Sequence, residues 1–291
     1  MSKILVTGAS GQIGRKTLQR LLDRRPASEL VGLARDPEKA ADLASLGIEI
    51  RQGDYFDYDS LVRAFSDIEK VLLVPTHAFT DRNTQHFNII TAAREAGVGH
   101  LVYTPIIRPA DSTAELAEVT VPDVFAVQAL KASGMDYTIA AHPPFLESLP
   151  FYIGEAASEF GVRVPAGDGK SGAATRDDLA EAHAVILTEP GHVNQSYSLH
   201  GSPAVSFADV ADILSDLRGG EVAYLPVTDD AYIDHMVESG LPEPVAQFAL
   251  GWVRGINAGD WDNPSGDLER LIGRPPTTAG EFLRHSYSEA R

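Results

Sequence analysis

The chain has 291 residues, of which 44% are hydrophobic and 22% charged, proportions that exclude a fibrous or largely disordered protein. Its formal net charge of −17 argues against broad binding of a phosphate backbone, which needs a basic face, and the absence of cysteine excludes disulfides and thiolate chemistry. No apolar run approaches the ~18 residues of a membrane span, and the sequence enters a strand at once with no signal-peptide pattern, so a cytoplasmic protein with neither nucleic-acid nor membrane partners is expected.

From the start to about residue 142, apolar runs of strand length alternate with amphipathic segments. "KILVTG", "LVGLAR", "IEIRQGD", "KVLLVP", "HLVYT" and "DYTIAA" are the runs; "QIGRKTLQRLLDRR", "DPEKAADLASLG", "DSLVRAFSD", "NTQHFNIITAAREAG" and "VFAVQALKASG" are the intervening helices. Continuous apolar strands covered by helices on both faces predict an α/β fold with a doubly wound parallel sheet of the Rossmann kind. Gly47, Gly97 and Gly134 stand just past the last periodic residue of three helices, where C-caps belong. Residues 143–291 form a smaller C-terminal α/β lobe for the substrate, with helices in "TRDDLAEAHAVILTEPG" and "SFADVADILSDLRGG", a strand "EVAYLPV" and helical material through Trp252. Some of these elements are free to return to the main sheet.

The first strand runs into "VTGASGQIG". In a strand, tight turn and helix, Gly8 allows the turn, Gly11 lets the backbone approach a pyrophosphate, and Gly14 permits close packing of helix on strand. Ser10, Gln12 and Ile13 complete a loop whose amides face the phosphates. About 20 residues on, where an NAD-binding chain places an acid on the ribose hydroxyls, the second strand ends in Ala34 and Arg35. A guanidinium there pairs with a 2′-phosphate, so NADP(H) is the expected cofactor, with Lys39 adding a second positive charge. Asp54, with Tyr55 beside it, follows the third strand and is placed either to accept from the adenine amino group or to cap a helix.

"VTGASGQIG", "ARDPEKA", "GDYFDYDSLVRAFSDIEKVLLVP", "AAREAGVGHLVYT", "GKSGAATRDDLAEAHAVILTEPGH" and "SYSLHGSPAVSFADVADIL" together resemble the NmrA-like atypical short-chain dehydrogenase/reductases, the triphenylmethane reductase and type 2 quinone oxidoreductase group in particular. The resemblance implies a Rossmann domain binding NADPH and a C-terminal lobe closing over a flat, electron-poor acceptor. It also implies that Val74, Pro75 and Thr76 lie along the cofactor, with Tyr103 and Thr104 at the end of the fifth strand. The departures are informative. Tyr-x-x-x-Lys is absent; the His or Lys followed four later by Glu that this family carries on one helix is here Asp123 and Val127; the family's "LRN" and "YTS" have become "AAH" and "YTP".

The expected activity is therefore NADPH-dependent reduction of a conjugated, electron-poor small molecule, with an altered pocket. A redox sensor of the NADP pool and a biosynthetic enzyme of non-redox type in a reductase fold are the alternatives. His142 and Asp123 are the candidate catalytic residues, the former as a proton donor near neutral pH; their bland readings are a strand-end histidine and a helix cap. His77, Phe79, Ile106, His142, Phe145 and Phe151 are the candidate substrate contacts. "GDGKSG" fails as a P-loop because Val164 stands where glycine is needed and reads instead as a β-turn, and His183, His192 and His200 lack the carboxylate partners of a metal site. A small-molecule substrate is the expected partner, with a homodimer allowed for.

Overall fold

The computed structural model describes residues 2–110, 112, 114–154 and 156–289. Seven strands, β1 (Lys3–Val6), β2 (Leu30–Ala34), β3 (Glu49–Gln52), β4 (Ile68–Leu73), β5 (His100–Tyr103), β6 (Asp136–Ala141) and β7 (Gln195–Ser198), form one parallel sheet in the order β3-β2-β1-β4-β5-β6-β7. The order reverses at β1, which opens a crevice at the carboxyl ends of the strands. Helices α1 (Gln12–Leu22), α2 (Ala41–Ser45), α3 (Tyr58–Ala64), α4 (Arg82–Glu95) and α5 (Thr120–Ala132) make the crossovers.

Why the runs are apolar throughout is plain from the two cores. Leu5, Val31, Leu33, Val71, Leu73, Leu101, Tyr103 and Ile139 point into one, and Ile4, Val6, Leu30, Leu72, Val102 and Ala140 into the other, the period-2 alternation of strands buried on both faces. Gly32 has no side chain because α1 leaves no room: a Cβ would stand 2.9 Å from that of Ala9.

Beyond β6 the helices are α6 (Leu149–Ile153), α7 (Ala157–Phe160), α8 (Arg176–Thr188), α9 (Phe207–Arg218), α10 (Asp229–Glu238), α11 (Glu243–Asn257), α12 (Asp267–Ile272) and α13 (Ala279–Glu289). Helix α8 packs along α1 and leads into β7, so this part of the chain sends one helix and one strand back to the main sheet. Tyr152, Phe207, Trp252 and Trp261 share the core that covers one sheet face.

Three local expectations need correction. "EVAYLPV" is no regular strand; it makes two isolated bridges, Val162 with Tyr224 and Pro165 with Val227, because its partner segment is itself irregular and Pro226 lacks an N–H. "GDGKSG" is no β-turn but an extended run against the end of α11, where a Cβ at Gly169 would stand 2.3 Å from the Ile256 carbonyl oxygen. The fifth helix begins at Thr120, before Val124, since Pro122 in the first turn gives up an N–H that has no intrahelical partner there.

Candidate active site

The crevice at the switch point holds a cavity of about 720 Å³. Gly8, Ser10, Gly11, Gln12, Ile13, Gly14, Arg35, Asp54, Tyr55, Val74, Pro75 and Thr76 all line it. Gly8 has φ +64, and a Cβ on Gly14 would lie 2.4 Å from the Gly8 carbonyl oxygen, so only glycine lets the helix start this close to the turn. Helix α1 begins with no side-chain cap and no acid in its first turn. Its amides are thus left for a ligand, and the helix dipole favours an anionic one. Tyr55 and Thr7 hold the opposite wall: the Tyr55 hydroxyl donates to the Val74 carbonyl at 3.0 Å, and Val74 N–H donates to Thr7 Oγ1 at 2.9 Å.

At the other side of the glycine loop, Gln52 Nε2 donates to the Arg35 carbonyl at 3.1 Å and fixes its backbone, while the exposed guanidinium makes no ion pair among the described residues. Asp54 does not cap a helix. Its Oδ1 accepts from Phe56 N–H at 2.9 Å in a turn, and Asp57 caps α3 instead. Lys39 lies outside the cavity; its carbonyl accepts from Arg15 at 2.7 Å. An open cradle built of glycine, unpaired helix N–H groups and a nearby free guanidinium fits a dinucleotide phosphate.

Tyr103 and Thr104 are also outside the cavity. Tyr103 is buried at the sheet face, its hydroxyl donating to Asp123 Oδ1 at 2.8 Å, and Thr104 donates to the Leu73 carbonyl at 3.3 Å. Asp123 neither caps a helix nor stands free as a base. It is buried, paired with Arg82 at 2.6 Å, and its Oδ2 accepts from Ile106 N–H at 2.9 Å. Burial pushes its carboxyl up, against the Arg82 charge, the Ile106 N–H and the Tyr103 hydroxyl. His142 is buried with Nε2 2.8 Å from His183 Nε2, and His183 Nδ1 is 3.2 Å from Thr17 Oγ1. Burial, with His183 and Arg176 adding to it, drives His142 well below the usual histidine range. The ring is thus neutral, engaged in the α1–α8 layer, and lines no cavity described here. This geometry supports neither a proton donor at His142 nor a free base at Asp123.

Of the expected substrate contacts, His77 lines the cleft, its Nδ1 donating to the Ala78 carbonyl at 2.9 Å. Phe79 is half-exposed and packs edge-on against Phe248, and Phe151 packs against Tyr152. Phe145 lies under the Arg176 guanidinium. Ile106, with Asp123, lines a second cavity of about 320 Å³ between α5 and Trp261. Phe56, Thr80, Gln85 and Arg176 line the main cleft without having been singled out from the sequence. Thr80 and Gln85 had one available signal, their place just after the fourth strand; Arg176 had none, because only the packing of α8 on α1 brings it there.

Comparison with known proteins agrees with this cleft. Residues 8–190 match the family model described as NAD(P)H-binding. Quinone oxidoreductase 2 of Escherichia coli (strain K12) is 34% identical over 288 residues, 98% of this chain and 99% of that one. The NAD(P)H azoreductase of Xenophilus azovorans is 31% identical, covering 97% and 96%. Among solved structures, the Citrobacter sp. triphenylmethane reductase complexed with NADP(H) superposes with a TM-score of 0.90 at 33% identity, over 98% of this chain and 99% of that one. With the glycine cradle, the parallel sheet and these relatives over nearly its whole length, the chain belongs to the NAD(P)H-binding, NmrA-like atypical short-chain dehydrogenase/reductases.

Proposed function

We propose that this protein is an NADPH-dependent reductase of conjugated, electron-poor small molecules such as quinones or dyes. The observation that carries the reading is one cleft with a glycine cradle and the free guanidinium of Arg35 at one side and, among the described residues, no proton relay at the other. Gly8, Ser10, Gly11, Gln12 and Ile13 hold the pyrophosphate, Arg35 the 2′-phosphate, Asp54 the adenine, and Val74, Pro75 and Thr76 the nicotinamide half. When bound, NADPH supplies a hydride. The protein supplies position, which accounts for much of the barrier reduction for such a transfer, and protonation of the product comes from water. Thr76, hydrogen-bonded to Thr80 at 3.0 Å, and His77 then border the acceptor.

The named relatives, a quinone oxidoreductase, an azoreductase and a triphenylmethane reductase, are named for acceptors that are conjugated and electron-poor, which supports that substrate class here. The proposal extends to a cytoplasmic location, where NADPH is supplied, and to a homodimer; exposed Phe87 on α4 and Val121, Val124 and Phe125 on α5, two helices packed side by side, support the latter. The test is NADPH oxidation against a panel of quinones, azo dyes and triphenylmethane dyes. Turnover on at least one is expected. Tight NADPH binding with no turnover on any acceptor would overturn the reading in favour of a sensor.

A further inference from the structure

One charge at the cleft has no role in the reading above. Arg176 opens α8 and lines the main cavity beside Thr76, His77 and Gln85. The bridge between Phe145 and Ala174 ties its segment to the extension of β6, whereas Arg35 follows β2, and the glycine loop of β1 lies between them in the sheet order. A dinucleotide laid with its 2′-phosphate at Arg35 and its diphosphate on the glycine loop therefore directs its reacting half towards Arg176.

The guanidinium is held but not used up. It lies 4.4 Å above the Phe145 ring centre, an arrangement that orients a cation. The Arg176 backbone N–H donates to Glu147 Oε1 at 2.9 Å, and Nη1 stands 3.5 Å from Glu147 Oε2. That separation is longer than a charge-assisted hydrogen bond of about 2.7–2.9 Å, and Glu147 Oε2 has no hydrogen-bond partner. Among the described residues the guanidinium side chain makes no hydrogen bond. It keeps its proton despite burial, since no protein environment deprotonates arginine, so its donors remain for a ligand.

We propose that Arg176 binds the acceptor oxygen that becomes negative on reduction, and that the cleft accordingly selects acceptors ending in a carbonyl or anionic oxygen, quinones before cationic dyes. When a conjugated carbon of a quinone takes up the hydride supplied by NADPH, which leaves as NADP⁺, a π electron pair moves on to the carbonyl oxygen. The oxygen carries the charge until water protonates it. Donors already aimed at that oxygen stabilise the charge as it develops. A cationic dye takes up the same hydride by losing its positive charge, forms no oxyanion, and gains nothing from Arg176.

This rests on the reductase reading, so the experiment separates the two. Arg176→Gln, Arg176→Lys and the double variant Glu147→Gln/Arg176→Gln, which leaves no unpaired carboxylate if the single variant folds poorly, are compared with the wild type. NADPH affinity, kcat/KM on a neutral quinone, a sulfonated quinone and a cationic triphenylmethane dye, and calorimetric binding of 2,5-dihydroxybenzenesulfonate to the NADP⁺-loaded protein are measured. Loss of a charge-assisted contact predicts a fall of about tenfold or more on both quinones and in sulfonate affinity, with Lys retaining part of it, and little change on the dye or in NADPH affinity. An equal fall on every acceptor together with weakened NADPH binding would assign Arg176 to the cofactor, and no change at all would leave it structural; either overturns the proposal. Should the wild type reduce nothing, the reductase reading fails, and sulfonate binding alone still decides the anion site: sensitivity to Arg176→Gln supports it and insensitivity overturns it.

Discussion

The two sides of the sheet's carboxyl edge are built by different means, and only the first forms most of the cleft. The end around β1, β2 and β3 is made of backbone: glycines that admit a close turn, helix amides without a cap, and one cation held only by its own main chain. The end around β5 and β6 is made of side chains paired across long sequence distances, Asp123 with Arg82 and Tyr103, His142 with His183, and Arg176 with Glu147. A backbone site binds by shape and needs no titrating group. A side-chain site can be switched from chemistry to architecture by changing one partner, and most of the pairs here have become architecture.

The largest expected effect breaks the paired end. Asp123→Ala leaves Arg82 buried without its counter-ion and strips the acceptor from Tyr103 and Ile106, a loss of about 3–5 kcal/mol of stability for a buried pair, read as a lower urea midpoint. Asp123→Asn keeps an acceptor and loses less. A variant that stayed as stable as the wild type while turnover vanished would show Asp123 to be a chemical group after all. The backbone end breaks differently. Gly14→Ala forces a Cβ against the Gly8 carbonyl oxygen, 2.4 Å away, where neither side can give; strain of about 3 kcal/mol is expected, together with loss of NADPH binding that titration of cofactor fluorescence detects. Intact affinity would mean the loop is not the diphosphate cradle.

Acid separates the two ends further, since the buried histidines cluster at the second. Burial pushes His86 and His183 down to about 3 from the ordinary 6.5, and His142 in the same direction. Between those limits the unfolded chain binds protons that the fold refuses, so stability is full above pH 6.5 and falls as the pH drops. At pH 5 His86 and His183 each cost on the order of 2 kcal/mol. Urea midpoints at pH 7 and pH 5 measure the sum. His86→Phe, which keeps the ring contact with Tyr103, is expected to flatten the dependence by its share; an unchanged slope would show that His86 does not titrate in this way.

The same division explains what could be read from the sequence. Gly8, Gly11, Gly14 and Arg35 carry their meaning in local order, strand then turn then helix then strand end, and continuous apolar runs made six strands visible. β7 escaped because "QSYS" is short, polar and on the sheet edge, with no alternation to betray it. Asp123 and His142 were legible as unusual residues at the right places in the chain, but their partners Arg82 and His183 lie on other helices and nothing in the spacing announces them. Arg176 reads in sequence as one more charge in "TRDD"; only the crossover of α8 on to α1 turns it towards the cleft.

The smallest effect, a change of preference without loss of fold, tests the backbone end at its one charged residue. Arg35 is exposed and Asp36 is already engaged, its carboxylate accepting from Glu38 N–H at 3.2 Å. Arg35→Asp therefore adds a second carboxylate beside the first and repels a 2′-phosphate, while the main chain, held by Gln52, keeps its course. Replacing charge-assisted hydrogen bonds by repulsion predicts a fall in the NADPH-to-NADH affinity ratio of about tenfold to a hundredfold, with the melting temperature close to that of the wild type. Lys39, outside the cavity, offers a control: Lys39→Ala is expected to leave the ratio within about twofold, because an exposed charge at that distance is screened by salt. If Lys39→Ala moved the ratio and Arg35→Asp did not, the phosphate would sit on the neighbouring turn, and the cation at the end of β2 would be an ordinary surface arginine.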